Sequence, residues 1–264
     1  MRLSSALRPF WQICYGTSFA WRPTMRALWT TPALMLHPAK VSQLFMAHLW
    51  TAFADPIDDG SRELKEDLIT TNAYGVVLDL GAGYGHTAKY LDRCRVTKYV
   101  ALEPNAMMHQ GIRTAAEAAG FTEADGTLLV LGCGAEDVSH IVDALGQPDG
   151  QSVDTIVSIL TLCSIPRPEE TLTALVREVL KPGGTFVFNE HVLNYLEDVA
   201  WWQRFWTPLW KIFLDGCCLD RPTHLWIERM GVWAEGGVRV GSEEEVGEDG
   251  DAIFFHKVGR FVKQ

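Results

Sequence analysis

The sequence predicts an α/β protein, a doubly wound and mostly parallel open sheet preceded by an N-terminal extension. Three observations predict it. Apolar strand candidates recur at 75–80, 98–102, 127–131, 153–159 and 184–188, with helical stretches at 87–93, 105–119, 136–145 and 168–180 between them. Three of those strands, GVVLDL, TLLVL and VDTIVSI, are nearly continuous in apolar residues, the pattern of strands covered by helices on both faces. The first strand then opens directly into a glycine-rich turn, GAGYG, at the strand end where such sheets hold ligands.

The chain is divided into an extension over 1–54 and an α/β domain over 55–264. Residues 1–54 carry five cations (Arg2, Arg8, Arg22, Arg26 and Lys40) and no acid, whereas the remainder carries a net charge of −15 within a total of −10. An acid-free, Arg- and Trp-bearing start fits an interfacial anchor or a transit peptide. It fits equally an extension packed over the domain. Peripheral membrane contact through residues 1–35 is therefore one expectation. The overall acidity argues against a nucleic-acid partner, which needs a basic face. The six cysteines form no CxxC pair, so reduced intracellular thiols and no metal site are expected. No run reaches the ~20 apolar residues that span a bilayer, which leaves a cytoplasmic or peripherally membrane-associated protein. Nothing in the sequence sets the oligomeric state.

Within the domain, SRELKEDLI (61–69) reads as a short helix capped by Ser61. The last third departs from the βα rhythm. A Trp-rich helix over 200–216 and a helix over 222–230 precede two closing strands, GGVRVG and AIFFHKVGRFV, separated by an acidic solvated loop at 241–251.

The glycine turn narrows the ligand. Gly81, Gly83 and Gly85 follow the strand-end acid Asp79, and the third glycine comes one position earlier than in the dinucleotide fingerprint G-x-G-x-x-G. That spacing points to S-adenosylmethionine, whose sulfonium has no pyrophosphate to cradle and is attracted by a nearby acid. Glu103, ending the second strand in YVALEPN, is placed to hold a ribose. The backbone amides of Ala135 and Glu136 in GCGAED can read an adenine edge. Tyr84 and His86 are candidates for the methionine end.

These segments resemble the class I S-adenosylmethionine-dependent methyltransferases over roughly 60–260. LDLGAGYG matches the first motif, ALEP the acidic loop, VDTIVSILTLCSI the fourth strand and LKPGGTFVF the fifth. The resemblance implies a Rossmann-like, seven-stranded sheet with its last strand antiparallel, and a cofactor contact at Leu160. TLCSI, FNEHV and FLDGCCLDR are similar to segments of the methyltransferase-like thiol S-methyltransferases, which implies a thiol acceptor and membrane association. The expected activity is methyl transfer to S, N or O of a small, fairly hydrophobic molecule.

His191 is the candidate general base, with Glu190 beside it and Asp215 as an alternative. A nicotinamide oxidoreductase would share the fold but has neither its glycine spacing nor a Y-x-x-x-K pair here. A non-catalytic scaffold would show decayed glycines or lost acids. Nucleic-acid methylation is disfavoured because ILTLCS stands where an N/D-P-P-aromatic sequence is expected.

Overall fold

The computed structural model describes residues 2–146, 151–240 and 252–264. The expected acidic loop at 241–251 lies outside them. The chain begins with α1 (Leu3–Ala6), α2 (Arg8–Thr30), α3 (Pro38–Gly60) and α4 (Arg62–Lys65). The α/β part follows as β1 (Gly75–Leu80), β2 (Val96–Leu102), α5 (His109–Ala118), β3 (Leu128–Leu131), α6 (Val138–Leu145), β4 (Val153–Ile159), α7 (Pro168–Ala174) and β5 (Leu180–His191). It closes with α8 (Glu197–Phe213), α9 (Thr223–Glu228), β6 (Trp233–Val240) and β7 (His256–Lys263).

The strands form one seven-stranded sheet in the order β3-β2-β1-β4-β5-β7-β6. β1 to β5 pair in parallel, and β7 runs antiparallel between β5 and β6. Asp79 stands level with Ala101 of β2 and Val157 of β4, so the loops after these strands open at one edge. The strand order reverses between β1 and β4, where an open α/β sheet leaves a crevice.

The near-continuous apolar runs are buried on both faces. One core joins Leu78, Leu80 and Ile156 to Leu172 and Val176 of the helical segment before β5. The other joins Val77, Tyr99 and Val157 to Ile112 and Ala116 of α5. A third cluster lies outside the sheet, where Ile13 and Ala20 of α2 and Leu49 of α3 meet Trp206 and Trp210 of α8.

Several expected boundaries shift for local reasons. The stretch 87–93 makes only a short 3-10 turn, His86–Tyr90, after Gly85 at φ +87. A Cβ on Gly85 would lie 2.9 Å from the Ile112 Cα, so α5 packs where only glycine fits. The helix expected from 105 starts at His109, because the Asn105 carboxamide oxygen accepts from the Met107 amide at 3.2 Å and makes a turn first. Ser61 does not cap a new helix. Its hydroxyl donates back to the Ile57 carbonyl at 2.7 Å, joining α4 to the end of α3. β5 begins at Leu180, ahead of the expected 184, and its register against β4 shifts across the Lys181–Gly184 bend.

The N-terminal helices lie over the domain, and α3 runs through residue 54. Gly16 allows α2 to approach α3, since a Cβ there would be 2.8 Å from the Phe53 ring. Trp206 donates its indole N–H to the Ala6 carbonyl at 2.7 Å. Asp58 of α3 is 2% exposed and pairs with Lys65 at 2.8 Å and with Lys89. Burial would raise the Asp58 pKa, but the two lysines outweigh it and hold it below the ordinary value.

Candidate active site

The loops after β1, β2, β3 and β4, the end of β5 and the helices α2, α3 and α8 enclose a cavity of about 700 Å³, within the range of small-molecule sites. Gly81 and Gly83 line it after β1, Glu103 after β2, Ala135 and Glu136 after β3, and Leu160 after β4. His191, Cys163 and Cys217 line it toward β5 and α8. The roof is supplied by Gln12 of α2 and by Met46, Trp50, Phe53 and Ile57 of α3.

The glycine turn follows from its backbone. Gly81 and Gly83 have φ of +62 and +55, and a Cβ on Gly81 would lie 2.6 Å from the Thr161 methyl. Side chains at these positions would strain the turn and close the cavity wall. Glu103 is 7% exposed. Its Oε2 accepts from the Gly83 amide at 2.9 Å and its Oε1 from the Asn105 amide at 2.8 Å. Each oxygen keeps a lone pair for a vicinal diol. Burial raises the Glu103 pKa to about 7, against the lowering effect of those two amides.

Four of the residues expected at the cofactor, Asp79, Tyr84, Gly85 and His86, do not line the cavity. Asp79 is 1% exposed and sits beneath the turn rather than on the cavity wall; it accepts from the Tyr99 hydroxyl at 2.8 Å. Burial raises its pKa to about 7, partly offset by the Tyr99 and Thr87 hydroxyls. Tyr84 also leaves the wall, its hydroxyl donating to the Ala47 carbonyl of α3 at 2.9 Å. Neither Gly85, packed under α5, nor His86, paired with Asp55 at 2.8 Å, lines the cavity. The turn therefore binds the roof helix with residues that sequence spacing assigned to the ligand.

Glu190 is the clearest correction among the acid/base candidates. It is fully buried and does not reach the cavity. Its carboxylate accepts from the Ser158 hydroxyl at 2.8 Å and from the amides of Thr161 and Leu162 at 2.9 and 3.1 Å. It clamps the loop after β4, in which Leu160 takes φ +55. Side chains alternate across a strand, so the neighbouring His191 points the other way, into the cavity. Asp215 lies on the cavity rim at φ +45, exposed, and accepts from Ser42 at 3.1 Å.

His191 is 7% exposed, and its Nε2 lies 3.2 Å from Cys217 Sγ. Burial opposes protonation of the ring, but the Cys163 thiol and the Glu190 carboxylate outweigh it and raise its pKa above the ordinary value. Cys217 Sγ lies 3.2 Å from Cys163 Sγ and accepts from the Trp210 indole N–H at 3.2 Å. The sequence hid this group, because its three members follow β4, end β5 and follow α8.

The comparisons with known proteins agree with this geometry. A family model described as a methyltransferase domain matches residues 44–226, and the chain belongs to that family. The human thiol S-methyltransferase TMT1B is 34% identical over 157 residues, 58% of this chain and 59% of its own. The rat thiol S-methyltransferase TMT1B is 31% identical over 189 residues, 70% of this chain and 72% of its own. The match therefore spans less than two thirds of the human relative's length. Among solved structures, an O-methyltransferase family protein from Burkholderia thailandensis superposes with a TM-score of 0.59 at 12% identity, covering 96% of this chain and 71% of that one. The YcgJ protein of a Bacillus superposes at 0.52 with 15% identity, covering 76% and 99%. At those identities the structures attest the fold alone. The chain thus carries a methyltransferase domain on a seven-stranded sheet of the class I fold. No helix of the described residues is long and apolar enough to cross a membrane.

Proposed function

We propose that this enzyme transfers the methyl group of S-adenosylmethionine to the sulfur of a small, hydrophobic thiol. Glu103 accepts from the ribose hydroxyls, the Ala135–Glu136 segment meets the adenine, Leu160 packs against the nucleoside, and Gly81 and Gly83 let the backbone approach. When bound, the cofactor supplies an electrophilic methyl on a sulfonium. The observation that carries the thiol reading is the engagement of Glu190. With its carboxylate committed to three donors of the β4 end and the loop after it, Glu190 is not placed to orient the His191 ring or take a proton from it, as stripping a hydroxyl would require. A thiol ionises near neutral pH and needs no such help. The aromatic roof and Trp210 select an apolar body and exclude water. The names of the relatives support the same acceptor class.

The test offers the enzyme a thiol, an amine and a phenol on one aromatic skeleton with methyl-labelled cofactor. Label in the thioether is expected; preferential labelling of the phenol or the amine would overturn the acceptor assignment.

We further propose that residues 1–35 touch an anionic membrane surface. Helix α2 exposes Trp11, Tyr15, Phe19 and Trp29, the last 87% exposed, within a segment rich in arginine and free of acid. Residues 1–54 thus act as roof and contact surface for the domain that follows.

A further inference from the structure

Three soft side chains meet at the β5 end of the cavity. Cys163, His191 and Cys217 are 3%, 7% and 8% exposed, and one ligand atom of each lies within 4.8 Å of the others. They come from a loop, a strand end and a post-helical turn, and each segment is fixed by backbone bonds. The Cys218 amide donates to the Cys163 carbonyl at 3.0 Å, and the His191 strand pairs with β7. Arg221 holds the loop after β4 by donating to the Leu162 and Ile165 carbonyls, both at 2.7 Å.

We propose that Cys163, His191 and Cys217 form a binding site for a thiophilic divalent cation of the zinc class, with its fourth position open to the cavity. Two thiolates and one imidazole with an open position make the ligand set of a catalytic rather than a structural zinc site. The ligand softness excludes magnesium and calcium, which take oxygen. Tetrahedral Zn–S bonds of about 2.3 Å place two sulfurs roughly 3.8 Å apart. The observed 3.2 Å separation therefore opens by a small side-chain movement. The Trp210 N–H on Cys217 Sγ supplies an outer-shell donor that stabilises a ligating thiolate. Cys133 and Cys218, although half-buried and buried, are not members of the group.

The consequence for turnover rests on the thiol-acceptor reading. An acceptor thiol taking the fourth position loses its proton to water and remains bound as a thiolate. Its sulfur forms the new bond to the methyl carbon, while the sulfonium C–S bond breaks with its electron pair left on the departing sulfur. The thioether product is neutral, a poorer ligand, and leaves. In the metal-loaded enzyme His191 is a ligand rather than a base.

The test uses the full chain, reduced with a phosphine and freed of metal, and titrated with Co²⁺. Stoichiometric thiolate-to-cobalt charge-transfer bands, bleached by Zn²⁺, are expected. Cys163→Ser and Cys217→Ser should weaken Co²⁺ binding by more than the roughly 10- to 100-fold that loss of an outer-shell partner costs, while Cys94→Ser leaves it unchanged. Alkylation mapped by mass spectrometry should show Zn²⁺ protecting Cys163 and Cys217 in the unsubstituted protein, a readout that does not depend on the variants folding. Absence of the bands, bands that persist in folded Cys217→Ser, or a Cys163–Cys217 disulfide that survives the reductant would overturn the site. Adding thiophenol to the cobalt form separates site from role. A shift of the bands supports acceptor ligation, and unchanged bands would overturn that role even where the labelling test finds the thiol methylated.

Discussion

Gly83 and Glu103 are joined across the cavity floor, the Gly83 amide donating to Glu103 Oε2 at 2.9 Å. The bond ties the turn after β1 to the residue after β2, so backbone and carboxylate are set before any ligand arrives. Preorganisation of this kind is what lets a single carboxylate hold a diol without an ordering cost.

Glu103→Gln is expected to weaken S-adenosylmethionine binding by at least about tenfold, the scale of one charge-assisted hydrogen bond. The wild-type affinity should also depend on pH. With the free carboxyl at about 7, protonation competes with the ribose, so affinity falls as pH drops below 7 and levels off above it. Calorimetric titration between pH 5.5 and 8.5 checks both points. A Gln variant that keeps the wild-type pH slope would remove Glu103 from the site.

Asp79→Asn should stabilise the ligand-free protein at pH 8 and not at pH 4. The folded-state pKa of Asp79 is raised to about 7, so the native state holds the proton more tightly than the unfolded chain. Ionisation then costs stability as pH rises from about 4 to 7, by roughly 2–4 kcal/mol for a shift of this size. Asparagine keeps an acceptor for the Tyr99 hydroxyl and removes the charge. Thermal melts of both proteins across that range measure the difference.

Glu190→Gln is expected to lower kcat/KM and melting temperature together. The Ser158 hydroxyl can turn to accept from a carboxamide nitrogen, but in either orientation that nitrogen faces the backbone N–H of Thr161 or Leu162, donor against donor, at a cost of roughly 1–3 kcal/mol. The loop carrying Leu160 and Cys163 would loosen. Since Glu190 does not line the cavity, the loss should not be rescued by raising pH, as it would be for a base titrating in the reaction.

Deleting residues 1–35 should abolish sedimentation with phosphatidylserine vesicles and reduce acceptor specificity. Gln12 leaves the cavity wall with that segment, whereas the α3 residues Met46, Trp50 and Phe53 remain. Sedimentation equal to that of the full chain would remove the membrane contact.

The sheet was legible because double burial writes itself as unbroken apolar runs. β1 and β4 fall where GVVLDL and VDTIVSI place them. The glycine spacing likewise marked the turn, and Glu103 was expected as the acid that ends the adjacent strand. Its neighbours were less legible. Tyr84 and Asp79 carry a ligand-facing pattern yet are spent on α3 and on Tyr99, and which partner a polar side chain finds is decided by packing at long range. The sulfur–imidazole group was invisible for the same reason, since metal-ligand spacing can be read in a sequence only when the ligands share a local element.

The bond from Tyr84 to the Ala47 carbonyl makes the roof and the cofactor turn one mechanical piece. In the proposed reading, any lift of α3 to admit an acceptor would strain the same turn that approaches the nucleoside. Traffic through the two halves of the cavity would then be linked, so that a roof opening more readily would shorten the residence of spent cofactor as it widened the choice of acceptor. Tyr84→Phe, which cuts the bond to Ala47 and keeps the ring, would uncouple throughput from selectivity.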